Sequence, residues 1–233
     1  MNHERIDFVD AYCDRWCERC PFTERCSTFL AVAAAAMCED DSAGLELAFG
    51  RAPDDDGVVP PLPDWVNDLE NVSPSDRDFE EWERRRKQRR ARIDAMPIIR
   101  LAEASMLAGF AWLRANHHLG ETEDVLVREA FEVANHDVTL IRVKLHRALD
   151  GRESRGTDDA PMDDHPVQND WNGSAKVALI SIERSATAWE ALASAAGQEA
   201  PAEVARHLRE LGTHVEREFP DVRRFIRPGF DAG

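Results

Sequence analysis

The sequence predicts an all-α protein, an up-and-down bundle of about four long helices preceded by a cysteine-rich segment. Three observations carry that prediction. Long stretches repeat apolar residues at intervals of three and four, the period of one face of a helix. No stretch alternates apolar and polar residues as a half-buried strand does. The amphipathic stretches are joined by short connections, which favours antiparallel neighbours packed side by side. Of 233 residues, 43% are hydrophobic and 32% charged, with 12 Gly and 12 Pro. That balance suits one large domain, or one domain with an appendage, and excludes collagen-like and low-complexity chains.

The elements follow in order. Residues 1–38 form a cysteine-cluster segment with a short helix, in which Ile6, Phe8, Val9 and Tyr12 lead into the cysteines and the alanine-rich run from Ser27 to Met37 favours helix intrinsically. Residues 39–75 read as an acidic, Pro/Gly-rich connection. From Glu39 to Glu83 there are fifteen acids against two bases, a composition that stays solvated. Residues 76–219 are the helical bundle. Ser75 and Asp76 are placed to cap its first helix, and Pro97 kinks or breaks that helix because its ring removes a hydrogen bond and clashes with the preceding turn. The pattern resumes through Ile99, Ala102, Met106, Phe110 and Leu113 to about Gly120. Thr122 opens the next helix, with Val127, Phe131, Ala134, Val138, Ile141, Leu145 and Ala148 on one stripe. A polar connection spans 151–170. Another helix begins near Ser174, carries Leu179, Ile182, Ala186 and Trp189 inward, and stops at Gly197. The last enters through Pro201 and buries Val204, Leu208, Leu211 and Val215. Residues 220–233 form a C-terminal tail.

Net charge narrows the partners. With 29 Lys and Arg against 45 Asp and Glu, the chain carries −16, which disfavours free-standing nucleic-acid binding because phosphate is repelled. The basic run Arg84 to Arg92 follows acids at helical spacing, and Glu80–Arg84, Glu81–Arg85 and Glu83–Lys87 read as i,i+4 pairs on a solvated helix. No apolar leader follows a basic start, and the longest apolar run, Phe29 to Cys38, falls short of a bilayer span. The expected compartment is the cytoplasm, and the expected partner another protein rather than a membrane.

All five cysteines, Cys13, Cys17, Cys20, Cys26 and Cys38, lie in the first 38 residues. An odd number crowded at one end does not suggest a disulfide framework, and in a reducing compartment clustered thiols point to metal or redox chemistry. Cys13, Cys17, Cys20 and Cys26 are spaced C-x3-C-x2-C-x5-C, close enough for one loop and a helical turn to close four soft thiolates around a single centre. The run lacks the two separated knuckles usual for zinc, and a 4Fe–4S cluster suits it better. A zinc ion is the alternative, and redox-switching thiols the third reading. Arg15, Arg19 and Arg25 stand among the thiolates to offset charge, and Trp16 and Phe22 are placed to exclude water. Cys38 reads as a small buried apolar residue.

The part Cys17-x2-Cys20-Pro21-x4-Cys26 resembles the ligand runs of two groups of 4Fe–4S proteins: the exonucleases of CRISPR adaptation and recombination, and the auxiliary-cluster domains of radical-SAM maturases. The resemblance implies a cluster, and neither activity. Over most of its length the chain also looks like an uncharacterised bacterial all-helical family, through Tyr12-Cys13-Asp14-Arg15-Trp16-Cys17-Glu18-Arg19-Cys20 and Asn172-Gly173-Ser174-Ala175-Lys176-Val177-Ala178-Leu179-Ile180. That likeness brings no activity with it.

Other constellations point elsewhere. A di-iron bundle needs Glu-x-x-His on two helices, whereas Glu132 and His136, Glu203 and His207, and Glu210 and His214 stand four apart, which suits a solvated face. Glu103 lies on the line from Ile99 to Leu113, and a buried Glu103 needs a partner such as Arg142, Lys144 or Lys176. A bundle enzyme with a pocket around Glu103 and Lys176 is therefore carried as an alternative function. Asn172-Gly173-Ser174 reads as a turn and cap rather than an anion site.

Overall fold

A computed structural model describes residues 4–38, 48, 76–155 and 165–231. Apart from Ala48, the expected acidic connection 39–75 lies outside the described residues, as does the middle of the connection 151–170. The described chain is all-α, and its elements run α1 (Ser27–Met37), α2 (Asp76–Ala95), α3 (Pro97–Ala115), α4 (Val125–Ser154), α5 (Asp170–Ala196) and α6 (Glu199–Glu218), with short 3-10 turns between. Among the described residues no strand occurs, and no single helix is long and apolar enough to cross a bilayer.

The chain divides into two compact units. One comprises Met1–Ala11 with Cys17–Gln88; the other comprises Tyr12–Trp16 with Arg89–Gly233. The boundary therefore cuts the cysteine segment and α2.

In the first unit, residues 4–10 tie back to the start of α1. Ile6 N–H donates to the Arg25 carbonyl at 3.2 Å, Arg25 Nε to the Glu4 carbonyl at 2.7 Å, and Thr28 Oγ1 to Asp10 Oδ2 at 2.7 Å. In the outer part of α2, Lys87 pairs with Glu83 at 3.0 Å and Arg86 stacks over Trp82. Glu80–Arg84 and Glu81–Arg85 do not form among the described residues, because side chains fully in water gain little from pairing.

The second unit is the bundle. Helices α3, α4, α5 and α6 pack as a closed set, α3 on α4 and α6, and α5 on α4 and α6. Pro97 takes the first position of α3 and interrupts the helical run there. Asp124, not Thr122, caps α4, its Oδ1 accepting from the N–H groups of Leu126 and Val127. The start of α5 lies four residues before Ser174, because Asn169 caps it at the Asn172 N–H. Gly197 ends α5 at φ +61°, in the left-handed region that glycine adopts without strain.

The core confirms the expected period on α4 and α6. Two elements differ. On α3, Phe110 is 42% exposed while Ser105, Gly109 and Trp112 turn inward. The helix advances past a strict four-residue repeat, and Trp112 is held by its Nε1 donating to Gln198 Oε1 at 2.7 Å. Helix α5 is buried nearly all round, its small residues Gly173, Ala175, Ala178, Ser181, Ser185 and Ala186 letting neighbours approach on every side. A helix apolar or small on all faces belongs at the centre.

Candidate functional site: the cysteine segment and its anchor

In the first unit the loop after Cys17 is built from two single 3-10 turns. The first, Cys17–Arg19, is closed by Cys20 N–H donating to the Cys17 carbonyl at 3.2 Å. Side chains three apart eclipse in a 3-10 turn, so Cys17 and Cys20 share a face. Pro21 and Phe22 turn the chain back, and Phe22 N–H donates to Cys20 Sγ at 3.4 Å. A second turn, Thr23–Arg25, delivers Cys26 to the N-cap of α1 in extended conformation. There its sulfur accepts the Phe29 N–H at 3.4 Å, at the helix end whose free N–H groups favour an electron-rich partner.

Cys13 belongs to the second unit, in a five-residue strap, Tyr12–Trp16, anchored on the bundle. Its N-terminal anchor is a notch at Gly173. The Tyr12 ring meets Phe225 edge-on, centroids 4.8 Å apart, over the bare Cα of Gly173, where a Cβ would come within 2.7 Å of Phe225 and closer still to Tyr12. The C-terminal anchor is Trp16, stacked on His136 with centroids 4.3 Å apart and with the Arg184 guanidinium over its ring at 5.3 Å. His136 Nε2 also contacts the Asp14 carbonyl at 3.1 Å.

Between these anchors lies an ion cluster. Asp137 is fully buried, and Arg184 donates to both of its oxygens, at 2.6 and 2.7 Å. The third arm of the guanidinium donates to Asp14 Oδ2, while Asp14 Oδ1 accepts from Trp16 N–H at 3.2 Å. One cation thus grips the core and the strap together. Burial alone would raise the Asp14 carboxyl, but the Arg184 and Trp16 hydrogen bonds outweigh it and hold Asp14 below the usual carboxylate range. For Asp137, burial wins and the carboxyl is raised despite its guanidinium partner. Arg184 is held charged by both carboxylates against the cost of its own burial.

Cys13 sits beside this cluster. Burial pushes its thiol above the ordinary value, opposed by the Arg15 N–H, which donates to the sulfur, and by the positive charges of Lys144 and Arg15. Arg15 reaches this geometry at φ +60°, a sparsely populated conformation for a side-chain-bearing residue. Lys144 is only 5% exposed, and no hydrogen bond or ion pair engages its amine among the described residues. Burial lowers its pKa, with Cys13 the foremost group pulling the other way.

No protein family, curated protein or solved structure matches this chain. The site is therefore read from its own residues.

The four expected ligands are arranged in two places, Cys13 on the strap and Cys17, Cys20 and Cys26 in the turns. Among the described residues, no three Cys, His, Asp or Glu side chains are grouped as around one ion. Cys38 is half-buried at the C-cap of α1 rather than inside a core. Trp16, expected to exclude water, stacks on His136 of the bundle. Glu103 is half-buried and takes none of its expected partners, since a carboxylate open to water needs none; Arg142 pairs with Asp94 at 3.1 Å and Lys176 donates to the Arg223 carbonyl at 2.8 Å. Neither Glu103 nor Lys176 lines either cavity described in the bundle. Glu203–His207 and Glu210–His214 form the expected partly solvated pairs, at 3.9 and 3.6 Å. At Asn172-Gly173-Ser174 the chain is inside α5, and Gly173 seats two aromatic rings.

Sequence reasoning missed Asp137, Arg184 and Lys144. Asp137 and Lys144 were visible as charges beside the apolar stripe positions Val138 and Leu145, a burial that requires compensation. Nothing along the chain pairs Arg184 with Asp14, 170 residues away.

Proposed function

We propose that Cys13, Cys17, Cys20 and Cys26 are the ligands of one sulfur-bound metal centre, a 4Fe–4S cluster, in a cytoplasmic protein that senses redox state, transfers electrons or engages a partner protein. The observation that carries this reading is the hydrogen bonding of the sulfurs. Cys13, Cys20 and Cys26 each accept a backbone N–H, from Arg15, Phe22 and Phe29. Such bonds stabilise negative sulfur and tune a cluster's potential. The donors also suit the group chemically, four soft ligands within fourteen residues. Among the described residues no three such side chains are grouped as around one ion, so the reading takes metal binding to be coupled to folding. When bound, a cluster supplies a one-electron couple. The chain's own part is to present four thiolates, hydrogen-bond them and limit water at Cys13 by burial.

A second reading is a zinc-stapled interaction module without catalysis, favoured by the turn-and-N-cap arrangement of Cys20 and Cys26, which a tetrahedral ion also accepts. Protein purified without oxygen separates the two. Brown protein with about four irons per chain, lost in Cys17→Ser and Cys20→Ser, supports the cluster. Colourless protein with one zinc supports the staple, and protein that takes up neither metal refutes both. For the bundle-enzyme alternative, neither of the two cavities described in the bundle is lined by Glu103 or Lys176.

A further inference from the structure

We propose that the outer face of α3 is the surface through which two copies of this chain pair, the two helices lying antiparallel. This contact owes nothing to the cysteines and uses the bundle alone.

Helix α3 turns Ile99, Ala102, Trp112 and Leu113 into the bundle core. The opposite face of such a helix ordinarily carries charge. Here no charged residue occurs from Ala104 to Leu113, in a chain that is 32% charged. Leu107 is 60% exposed and Phe110 42%, and Ala104, Ala108 and Ala111 around them are exposed as well. A contiguous apolar patch left open to water marks an interaction surface.

The charges that bound the patch select the occupant. Glu103, Leu107, Phe110 and Arg114 stand four, three and four apart, the spacing of a coiled-coil seam. That spacing reads the same in either direction. Laid antiparallel on its own copy, the stripe sets Leu107 opposite Phe110 of the second copy and Glu103 opposite Arg114 of the second copy. The two-fold axis then repeats both contacts, as an isologous interface requires. A parallel pair would set Glu103 on Glu103 and Arg114 on Arg114, like charge on like. Neither charge is spent elsewhere: among the described residues, the Glu103 and Arg114 side chains make no ion pair and no hydrogen bond. The stripe is complementary to itself in both apolar and charged positions, so the partner it fits is a second copy. One helix pair is a small interface, and association in the micromolar range is expected.

Sedimentation equilibrium of the whole chain, followed from about 1 to about 200 µM, reads that association. Chelator and reductant are present throughout, so that the thiols take no part. Wild type is expected to pass from monomer to dimer over the range. Glu103→Arg alone and Arg114→Glu alone each exchange two attractions for two repulsions and weaken the dimer roughly tenfold or more. The double variant Glu103→Arg with Arg114→Glu restores unlike charges and recovers most of the loss, and Leu107→Asp abolishes pairing. None of these side chains is buried, so every variant keeps the helix content of wild type by circular dichroism. Wild type that stays monomeric overturns the proposal and leaves the face to a different protein. A dimer indifferent to Leu107→Asp overturns it too, since it then forms through another surface. So does a dimer weakened by both single reversals and no stronger in the double variant, because the two charges then do not face each other.

Discussion

Replacing Arg184 with Met tests how the strap is held. The substitution keeps the length of the aliphatic stem and removes three hydrogen-bonding arms, two on Asp137 and one on Asp14. Asp137 is left fully buried with no cation, and breaking a buried pair by removing one partner costs about 3–5 kcal/mol. The Arg184 side chain is 28% exposed, so water repays part of this, and about 3 kcal/mol is expected. For a chain of this size that is a fall of roughly 6–12 °C in Tm. Urea denaturation of the metal-free protein measures it without ionic screening. The sign with pH is fixed by Asp137, whose carboxyl is raised by burial. The penalty of ionised, unpaired Asp137 is absent below the unfolded carboxylate pKa and grows as pH rises past it, so the gap between wild type and Arg184→Met narrows toward acid pH. The double variant Arg184→Met with Asp137→Val removes both charges and recovers most of the loss. A loss under about 1 kcal/mol for Arg184→Met at neutral pH, or a double variant no better than the single one, refutes the clamp.

Three further outcomes follow from the same geometry. Gly173→Ala drives a methyl into the Tyr12–Phe225 pair; despite the better helix propensity of Ala it destabilises by about 1–3 kcal/mol and speeds tryptic cleavage after exposed Arg15, and unchanged protection there counts against the notch. Asp124→Ala deletes the cap of α4 and lowers stability by about 1 kcal/mol in urea denaturation. Burial tends to raise the Asp231 carboxyl, but its hydrogen bonds with Arg227 hold it below the ordinary value. Its small contribution to stability is therefore present above the unfolded carboxylate pKa and lost as pH falls through the folded one, and Arg227→Met moves the NMR titration of Asp231 upward.

Much of the bundle was legible because its helices obey a single period and end at residues with one use. Pro97 interrupts, Gly197 stops in the left-handed region, and the α6 stripe of Val204, Leu208, Leu211 and Val215 is buried as the spacing requires. The errors share a cause. Phe110 followed the four-residue repeat on paper, but Trp112 found a distant partner in Gln198 and took the interior. Helix α5 showed one apolar stripe, yet serines and glycine are small enough to be buried on the remaining faces. For the site, spacing singled out four cysteines as candidates on one loop and a helical turn, and the structure presents three of them on two 3-10 turns and a helix cap. Spacing did not show that Tyr12–Trp16 folds with the bundle while Cys17 onward folds with the first unit, because that division depends on Arg184, Gly173 and Phe225, all more than 150 residues further along.

X-ray absorption at the edge of the bound metal reads most directly which atoms hold it. Protein loaded without oxygen is predicted to show an all-sulfur shell, either with iron neighbours as in a cluster or, for zinc, with four sulfurs at about 2.3 Å. Replacing Cys13, Cys17, Cys20 or Cys26 with Ser should remove sulfur from that shell, and replacing Cys38 should not. A shell of nitrogen and oxygen, or one indifferent to all four substitutions, contradicts the four-cysteine centre.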